Sequence, residues 1–167
     1  RGTSYNAFLV IDEKITLIDA VKSGFEAEMF ERISSVIDPE KIDYIVSNHA
    51  EPDHSGALAN AIAVIKPEKV FASAVGAKTL KAYYGIDVEV ASAPLSLGQG
   101  TLSFVETKML HWPDSMISFY DRDGVLFSQD AFGQHLAGSK LWADDYDPEL
   151  LDYEMGKYYA NIINAQS

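Results

Sequence analysis

Four ionisable side chains are crowded into the short segment "VSNHAEPDHSG". His49, Glu51, Asp53 and His54 offer two imidazoles and two carboxylates, the nitrogen and oxygen donors that first-row transition metals accept in proteins. The apolar run "IDYIVSN" precedes them and is typical of a buried strand, and loops at strand ends commonly carry the sites of α/β proteins. The segment therefore predicts a metal site, and four ligands from one turn could serve two neighbouring ions.

Pro52 constrains the backbone of this turn. It lacks an N–H and pushes the preceding residue towards extended backbone, so we expect the chain to be non-helical as far as Asp53. Alternate side chains of an extended segment point the same way, which would put His49, Glu51 and Asp53 on one side. His54 would then swing round as the chain bends into the next helix.

A structural interpretation of the same residues competes with the metal site. Asp53 or Ser55 would be a suitable N-cap for the helix predicted over "GALANAIAVI", and Glu51 could simply be solvated. A single histidine such as His49 is most often an ordinary hydrogen-bonded side chain. All four donors at this spacing favour the metal site.

Two further strand ends carry donors of the same kind. "KMLHWPDSM" places His111 at the end of one predicted strand, and "GVLFSQDAFG" places Asp130 at the end of another. A lone histidine or aspartate at such a position has little meaning, since either could close a turn. Three strand ends that each supply histidine, aspartate or glutamate favour one shared site.

The elements that must position these donors alternate along the sequence. Runs rich in β-branched and aromatic residues predict the strands "YNAFLVI", "ITLIDA", "IDYIVSN", "KVFAS", "DVEVA", "TLSFVETKML", "MISFYD" and "GVLFSQD". Apolar residues at helical spacing predict helices over "FEAEMFERISSVI", "GALANAIAVI", "AVGAKTLKAYY" and from Pro148 onward. The turns "DEK" and "DRDG" predict two hairpins. This order predicts an α/β layered domain with a mixed sheet covered by helices, rather than a sandwich or bundle.

Composition excludes several function classes. The net charge of −12 disfavours nucleic acid and anionic membranes as partners. No cysteine is present, which rules out disulfides, thiolate metal ligands and a cysteine nucleophile within this chain and is compatible with the cytoplasmic location that we expect. No apolar run approaches the ~20 residues that cross a bilayer.

These motifs resemble those of the flavodiiron proteins, which are metallo-β-lactamase-fold reductases of oxygen and nitric oxide. The resemblance lies in "HAEPDH", "HWPDSM" and "FSQDAFG", and it extends through "RGTSYNAFLV", "LIDAV" and "FGQHLA" to nearly all of the chain. It implies a metallo-β-lactamase-like αββα sandwich, incomplete at both ends, of which residues 1–167 form a part. Ordinary hydrolases of this fold carry histidine at the position of Glu51, and the added carboxylate suits iron or manganese better than zinc.

The resemblance also implies a ligand set for two iron ions. The implied ligands are His49, Glu51 and His111 for one iron, Asp53 and His54 for the other, and Asp130 as a bridge between them. In the family the second iron takes a further histidine from well beyond the bridging aspartate. His135, the only histidine after Asp130, follows it too closely to match, so we interpret His135 as a structural histidine or one that supports a ligand. No catalytic group beyond the metal ligands is expected.

The implied activity is reduction of dioxygen to water, of nitric oxide to nitrous oxide, or of both. The resemblance implies that electrons arrive through FMN on a flavodoxin-like domain downstream of this one. No phosphate-binding loop for a flavin is present in this sequence. The resemblance further implies a rubredoxin-like or similar electron donor and a head-to-tail homodimer or tetramer. No motif here chooses between the two gases.

Three other functions remain open at this point. The first is a hydrolase of the same fold that uses zinc-activated hydroxide. The second is a diiron oxygen-binding sensor that has no flavin. The third is a fragment with an empty site that only packs against a partner, against which the intact donor set up to Asp130 argues.

Overall fold

The computed structural model describes residues 5–163, which form two β-sheets with helices around them. The strands are β1 (Phe8–Val10), β2 (Thr16–Ile18), β3 (Tyr44–Ser47), β4 (Lys69–Ala72), β5 (Glu89–Val90), β6 (Leu95–Ser96), β7 (Thr101–Glu106), β8 (Met116–Tyr120) and β9 (Val125–Phe127). The α-helices are α1 (Glu26–Ser34), α2 (Pro52–Ser55), α3 (Leu58–Ile65), α4 (Ala74–Tyr84) and α5 (Pro148–Tyr158). Short 3-10 turns span Pro39–Lys41 and Ala143–Asp145, and α5 continues into a π-helical turn over Tyr159–Ile163.

The two sheets differ in strand direction. The first has the order β1-β2-β3-β4-β5, in which β1 and β2 form an antiparallel hairpin and the remaining pairs are parallel. The second has the order β6-β7-β8-β9 and is wholly antiparallel. Both predicted hairpins, β1–β2 and β8–β9, are confirmed.

The prediction of a single mixed sheet, drawn from the order of elements, was wrong. The segment "SAPLSLGQG", which lies between the predicted strands "DVEVA" and "TLSFVETKML", contains β6, and the chain enters the second sheet there. Periodicity identifies strands but not their partners, so it could not show where one sheet ends and the next begins. The two-sheet sandwich with helical layers that the family resemblance implied is confirmed.

The apolar core lies in two layers. The layer shared by the two sheets consists of Val10, Ile18, Val46, Phe71, Leu97, Leu102, Met116, Tyr120 and Phe127. The layer shared by the first sheet and its helices includes Leu17, Met29, Ile33, Ile45, Leu58, Ala61, Ile65 and Leu80. Burial of a large aliphatic side chain contributes about 1.5–3 kcal/mol to the free energy of folding. These two layers therefore fix how the sheets pack and where the ends of their strands lie.

Local chemistry explains the ends of several helices. The Ser73 hydroxyl accepts the N–H of Gly76 at the start of α4, and Gly85 ends this helix with a left-handed φ of 71°. The Asp147 carboxylate accepts the N–H of Glu149 at the start of α5, with Pro148 at the first helical position. The predicted bounds of α4 and the predicted start of α5 are confirmed.

Not every predicted apolar position became core. In α1, Met29 and Ile33 are buried, whereas Phe25, the N-cap residue before this helix, is 41% exposed. In α5, Tyr158 is buried, but Met155, one of the apolar residues at helical spacing, is 37% exposed. Within residues 5–163 no helix combines the length and the apolar character needed to cross a bilayer.

Asp12, in the β1–β2 turn, links the two sheets. Its carboxylate accepts the Tyr120 hydroxyl at 2.6 Å and the N–H groups of Gln99 and Gly100 at 3.1 and 2.8 Å. The hydrogen bond from Tyr120, supported by these N–H groups, holds the pKa of Asp12 well below its usual range. Folding therefore favours the ionised carboxylate here.

Candidate metal centre

The first donors follow β3, an interior strand of the first sheet. Glu51 has extended backbone, with φ −61° and ψ 141°, as expected for a residue before proline. Asp53 and His54, however, lie in α2, which begins at Pro52. The prediction of non-helical chain as far as Asp53 was therefore wrong, because proline restricts the residue before it and is itself favoured at the first position of a helix.

The capping interpretation is also wrong. Helix α3 begins at Leu58, and its N-cap residue, Ala57, makes no side-chain hydrogen bond. The Ser55 hydroxyl is directed to the carbonyls of Ala50 and Glu51, at 2.8 and 3.0 Å, and Asp53 caps neither α2 nor α3.

His49 is the most deeply buried of the predicted ligands, with 1% of its surface exposed. Its Nε2 lies 3.2 Å from a Glu51 oxygen and 3.2 Å from Asp130 Oδ2. Its Nδ1 faces the other way and lies 3.1 Å from Asp114 Oδ2. The ring is therefore held between carboxylates on both of its nitrogen edges.

His111 and Asp130 reach the same place from the second sheet. Strand β7 ends at Glu106 and β9 at Phe127, so both donors lie in the loops after these strands, not at the strand ends as predicted. His111 Nε2 lies 3.1 Å from a Glu51 oxygen and 3.3 Å from Asp130 Oδ2. The four donor atoms of His49, Glu51, His111 and Asp130 all lie within 4.8 Å of one another.

The second oxygen of Asp130 faces a different group of residues. Asp130 Oδ1 lies 3.1 Å from His54 Nε2 and accepts the Tyr158 hydroxyl at 3.1 Å. Asp53 Oδ2 lies 3.7 Å from the same His54 nitrogen. The predicted donors thus form two adjoining groups, with the two oxygens of Asp130 turned towards one group each.

Burial and charge oppose each other at the site. Burial alone would lower the pKa of His49, but the adjoining carboxylates of Asp114, Asp130 and Glu51 outweigh it and raise that pKa to about 11. For Asp130, burial alone would raise the pKa, and the imidazoles of His49 and His54 hold it well below its usual range instead. Asp130 is therefore ionised at neutral pH and attracts positive charge.

Two buried carboxylate oxygens make the site fit a cation. Asp130 Oδ2 accepts no hydrogen bond, although two imidazole nitrogens lie close to it, and Asp53 Oδ1 is likewise buried without a partner. An unpaired buried carboxylate oxygen is costly unless a cation or a donor reaches it. Together with the mixed nitrogen and oxygen donor set, these atoms fit a transition metal such as iron.

Two residues of the site were not singled out from the sequence. Asp114 stands in the quoted motif "HWPDSM" but resembles an ordinary turn aspartate, and its position close after His111 was the available signal. In the sequence, Tyr158 is one of several apolar or aromatic residues at helical spacing after Pro148, and nothing there marks it as part of a site. His135, predicted to be structural or supporting, packs its ring against that of Tyr158 with 4.8 Å between centroids.

Two facing sheets with a His/Glu/Asp cluster at their loop edge define a β-lactamase-like domain. A family model described as "ODP family beta lactamase" matches residues 3–166, so the chain belongs to that family. Its relatives are flavodiiron proteins. A rubredoxin-oxygen oxidoreductase of Megalodesulfovibrio gigas is 46% identical over 98% of this chain, and a nitric oxide reductase of Moorella thermoacetica is 40% identical over the same share.

Solved structures agree with this assignment. The rubredoxin oxygen:oxidoreductase from Desulfovibrio gigas matches 96% of this chain and 41% of its own, with a TM-score of 0.91 and 46% identity. The flavodiiron protein from Giardia intestinalis matches 95% of this chain and 40% of its own, with a TM-score of 0.88 and 36% identity. The chain spans 42% of the length of each of the two curated relatives named above.

Proposed function

We propose that this chain is the diiron part of a flavodiiron reductase that converts dioxygen to water, nitric oxide to nitrous oxide, or both. Residues 1–167 would form part of the β-lactamase-like domain, and FMN on a flavodoxin-like domain outside this chain would deliver the electrons. Relatives named for both reactions support this proposal, at 46% and 40% identity. We further propose a rubredoxin-like donor, a head-to-tail homodimer or tetramer, and a cytoplasmic location.

The observation that carries the proposal is the convergence of donors from three loops. His49, Glu51 and His111 would hold one iron, and their donor atoms lie within 4.8 Å of one another and of Asp130. Asp130 would bridge, because its two oxygens face opposite groups.

The second ion would be held by the donors on the other side of Asp130. These are Asp53, whose Oδ1 is buried without a hydrogen-bond partner, and His54, whose Nε2 lies near Asp130 Oδ1. The family's further histidine for this iron has no counterpart among residues 1–167, so we propose that it lies outside this chain.

The protein's own groups prepare the site for small uncharged gases. When bound, two ferrous ions would supply electrons and open coordination positions for dioxygen or for two molecules of nitric oxide. Glu51 and Asp130 balance the cationic charge, and His49 is shielded from water by its burial. The Tyr158 phenol oxygen lies 3.1 Å from Asp130 Oδ1, and the phenol keeps its proton because burial and the Asp130 charge raise its pKa. None of these residues is placed as a nucleophile, in keeping with a reduction.

Metal analysis after anaerobic loading tests the proposal. Protein purified without metal is incubated with excess ferrous iron and excess zinc in parallel and desalted, and the bound metal is counted per chain. We expect iron to be retained, and the iron-loaded protein to produce nitrous oxide from nitric oxide or to consume dioxygen when a chemical reductant is supplied.

Matched variants locate the bound metal. Glu51→Gln removes a donor charge from the cluster and should reduce iron retention. Glu89→Gln removes a glutamate charge on β5, at the edge of the first sheet, and should leave retention unchanged. Retention of zinc but not iron, together with esterase or lactamase turnover, would replace the reductase by a hydrolase. Reversible oxygen binding without reduction would favour the sensor.

A further inference from the structure

We infer that Asp114 is a positioning residue that fixes the His49 ring and ties together the two loops that carry His49 and His111. This inference rests on the proposed metal site and adds a residue to it that is not itself a ligand. Asp114 is buried, with 2% of its surface exposed; its Oδ2 is hydrogen-bonded, whereas its Oδ1 is buried without a hydrogen-bond partner.

One oxygen of Asp114 accepts two hydrogen bonds from the loop after β3. Asp114 Oδ2 lies 3.1 Å from His49 Nδ1 and 2.6 Å from the backbone nitrogen of Ala50. Because the carboxylate can only accept, Nδ1 must carry its hydrogen, and Nε2 is the ring nitrogen that faces Glu51 and Asp130. The pair of bonds therefore sets both the ring angle and the nitrogen that is presented to a cation.

Asp114 is itself anchored on the first sheet. Its backbone carbonyl accepts the hydroxyl of Ser73, the residue directly after β4, at 2.6 Å. The Trp112 ring stands edge-on to the His49 ring, with 5.3 Å between centroids, and limits movement on that side. The His49 imidazole therefore has one supported orientation.

The position of Asp114 couples ligands from separate sheets. It lies three residues after His111 in the β7–β8 loop, whereas His49 and Ala50 belong to the β3–α2 loop. A carboxylate that orients a metal-bound histidine raises the basicity of the ring, and loss of such a partner typically weakens metal binding by about 10–100-fold. Asp114 would act in this way and would also hold the two loops at the spacing that the donor cluster requires.

Asp114→Ala and Asp114→Asn test the inference, with Asp19→Asn as a matched control. Asp19 is also a buried carboxylate, and it accepts the backbone N–H of Asn48 at 2.6 Å, the same distance as in the Asp114–Ala50 bond, but it has no hydrogen bond to an imidazole. Asparagine tolerates the left-handed φ of 57° at position 19.

The measurement is the ferrous dissociation constant, obtained anaerobically by competition with a coloured chelator. We expect about 10–100-fold weaker binding for Asp114→Ala. Asp114→Asn should lose less iron affinity, because its amide oxygen can replace Oδ2 as the acceptor of both hydrogen bonds. It should still lose some affinity, because the negative charge is gone. Asp19→Asn should bind iron as wild type does.

A second readout follows the hydrogen on His49 Nδ1. In the diamagnetic zinc-loaded protein, wild type and Asp114→Asn should show a solvent-shielded imidazole N–H proton resonance that Asp114→Ala lacks. This signal reports the orientation of the ring and not the overall stability, so a purely structural role would leave it in place.

The outcomes separate this inference from the proposed function. Wild-type protein that binds no iron would overturn the metal site itself. Wild-type protein that binds iron, with both Asp114 variants equally tight or with Asp19→Asn equally weakened, would overturn only the role of Asp114. Should Asp114→Ala fail to fold, the near-isosteric Asp114→Asn decides the matter by the same comparison with Asp19→Asn.

Discussion

The hydrogen bond from Tyr158 to Asp130 gives a prediction that can be worked out quantitatively. Tyr158→Phe removes a buried hydroxyl that donates to the Asp130 carboxylate at 3.1 Å. A hydrogen bond to a charged group contributes about 1.5–3 kcal/mol. The loss in the free energy of unfolding should lie near the lower value, because His54 still contacts the same oxygen. For a chain of this length, about 1.5 kcal/mol lowers the melting temperature by roughly 3–6 °C.

Tyr84→Phe is the matched control for this substitution. Its hydroxyl also lies 3.1 Å from an oxygen, but that oxygen belongs to the neutral Ser55 hydroxyl, whose hydrogen is directed to the Ala50 carbonyl. A neutral hydrogen bond contributes about 0.5–1.5 kcal/mol, so this variant should be less destabilised.

The two variants should differ more clearly in metal binding. Without the Tyr158 hydroxyl, Asp130 Oδ1 loses the donor that orients it, and ferrous binding should weaken by about tenfold or more. Tyr84→Phe should bind iron as wild type does. Melting curves of the metal-free proteins and chelator competition measure the two effects. Equal melting temperatures and equal iron affinities in the two variants would refute the orienting role of the Tyr158 hydroxyl.

Further predictions concern the core, the link between the sheets, and metal loading. Met116→Ala should lower the free energy of unfolding by about 2–5 kcal/mol in denaturant titrations, because Met116 is wholly buried between the sheets. Met155 is partly exposed, so Met155→Ala should change this free energy by about 0.5 kcal/mol or less. Tyr120→Phe should destabilise the protein above the unfolded pKa of Asp12. The lowered pKa of Asp12 means that this contribution is lost as the pH falls, so the difference from wild type should shrink in melting curves below about pH 4; a constant difference would contradict it. Ferrous iron at about 100 times its dissociation constant should add about 2.7 kcal/mol to stability, and a chelator should reverse this gain. A melting temperature that does not respond to iron would argue against the site.

Local sequence patterns were sufficient where short-range chemistry decides the outcome. Helix α4 follows from an apolar stripe between a serine cap and a glycine with left-handed backbone, and the structure places it over Ala74–Tyr84 as predicted. The hairpins follow from the turns "DEK" and "DRDG" in the same way. The turn after β3 was mispredicted because α2 is a single turn, too short to show periodicity.

The pairing of strands could not be read in the same way. Strand β6 has only two residues, and its partner in β7 is set by packing between the sheets and not by its own composition. The positions of two site residues were mispredicted for the same reason: His111 and Asp130 were expected at strand ends but lie in the loops beyond them. Asp114 went unnoticed because its burial depends on the loop after β3, which is distant in sequence.

The amino-acid sequence by itself determined which donors are available and that they follow strands. These properties depend on residue type and on neighbours a few positions away. The tertiary structure alone decided that the Nε2 atoms of His49 and His111 both lie near Asp130 Oδ2, and that Asp114 contacts His49 and Tyr158 contacts Asp130. Such contacts arise only when the apolar layer between the sheets brings separate loops to one edge, and no short-range propensity encodes that distance.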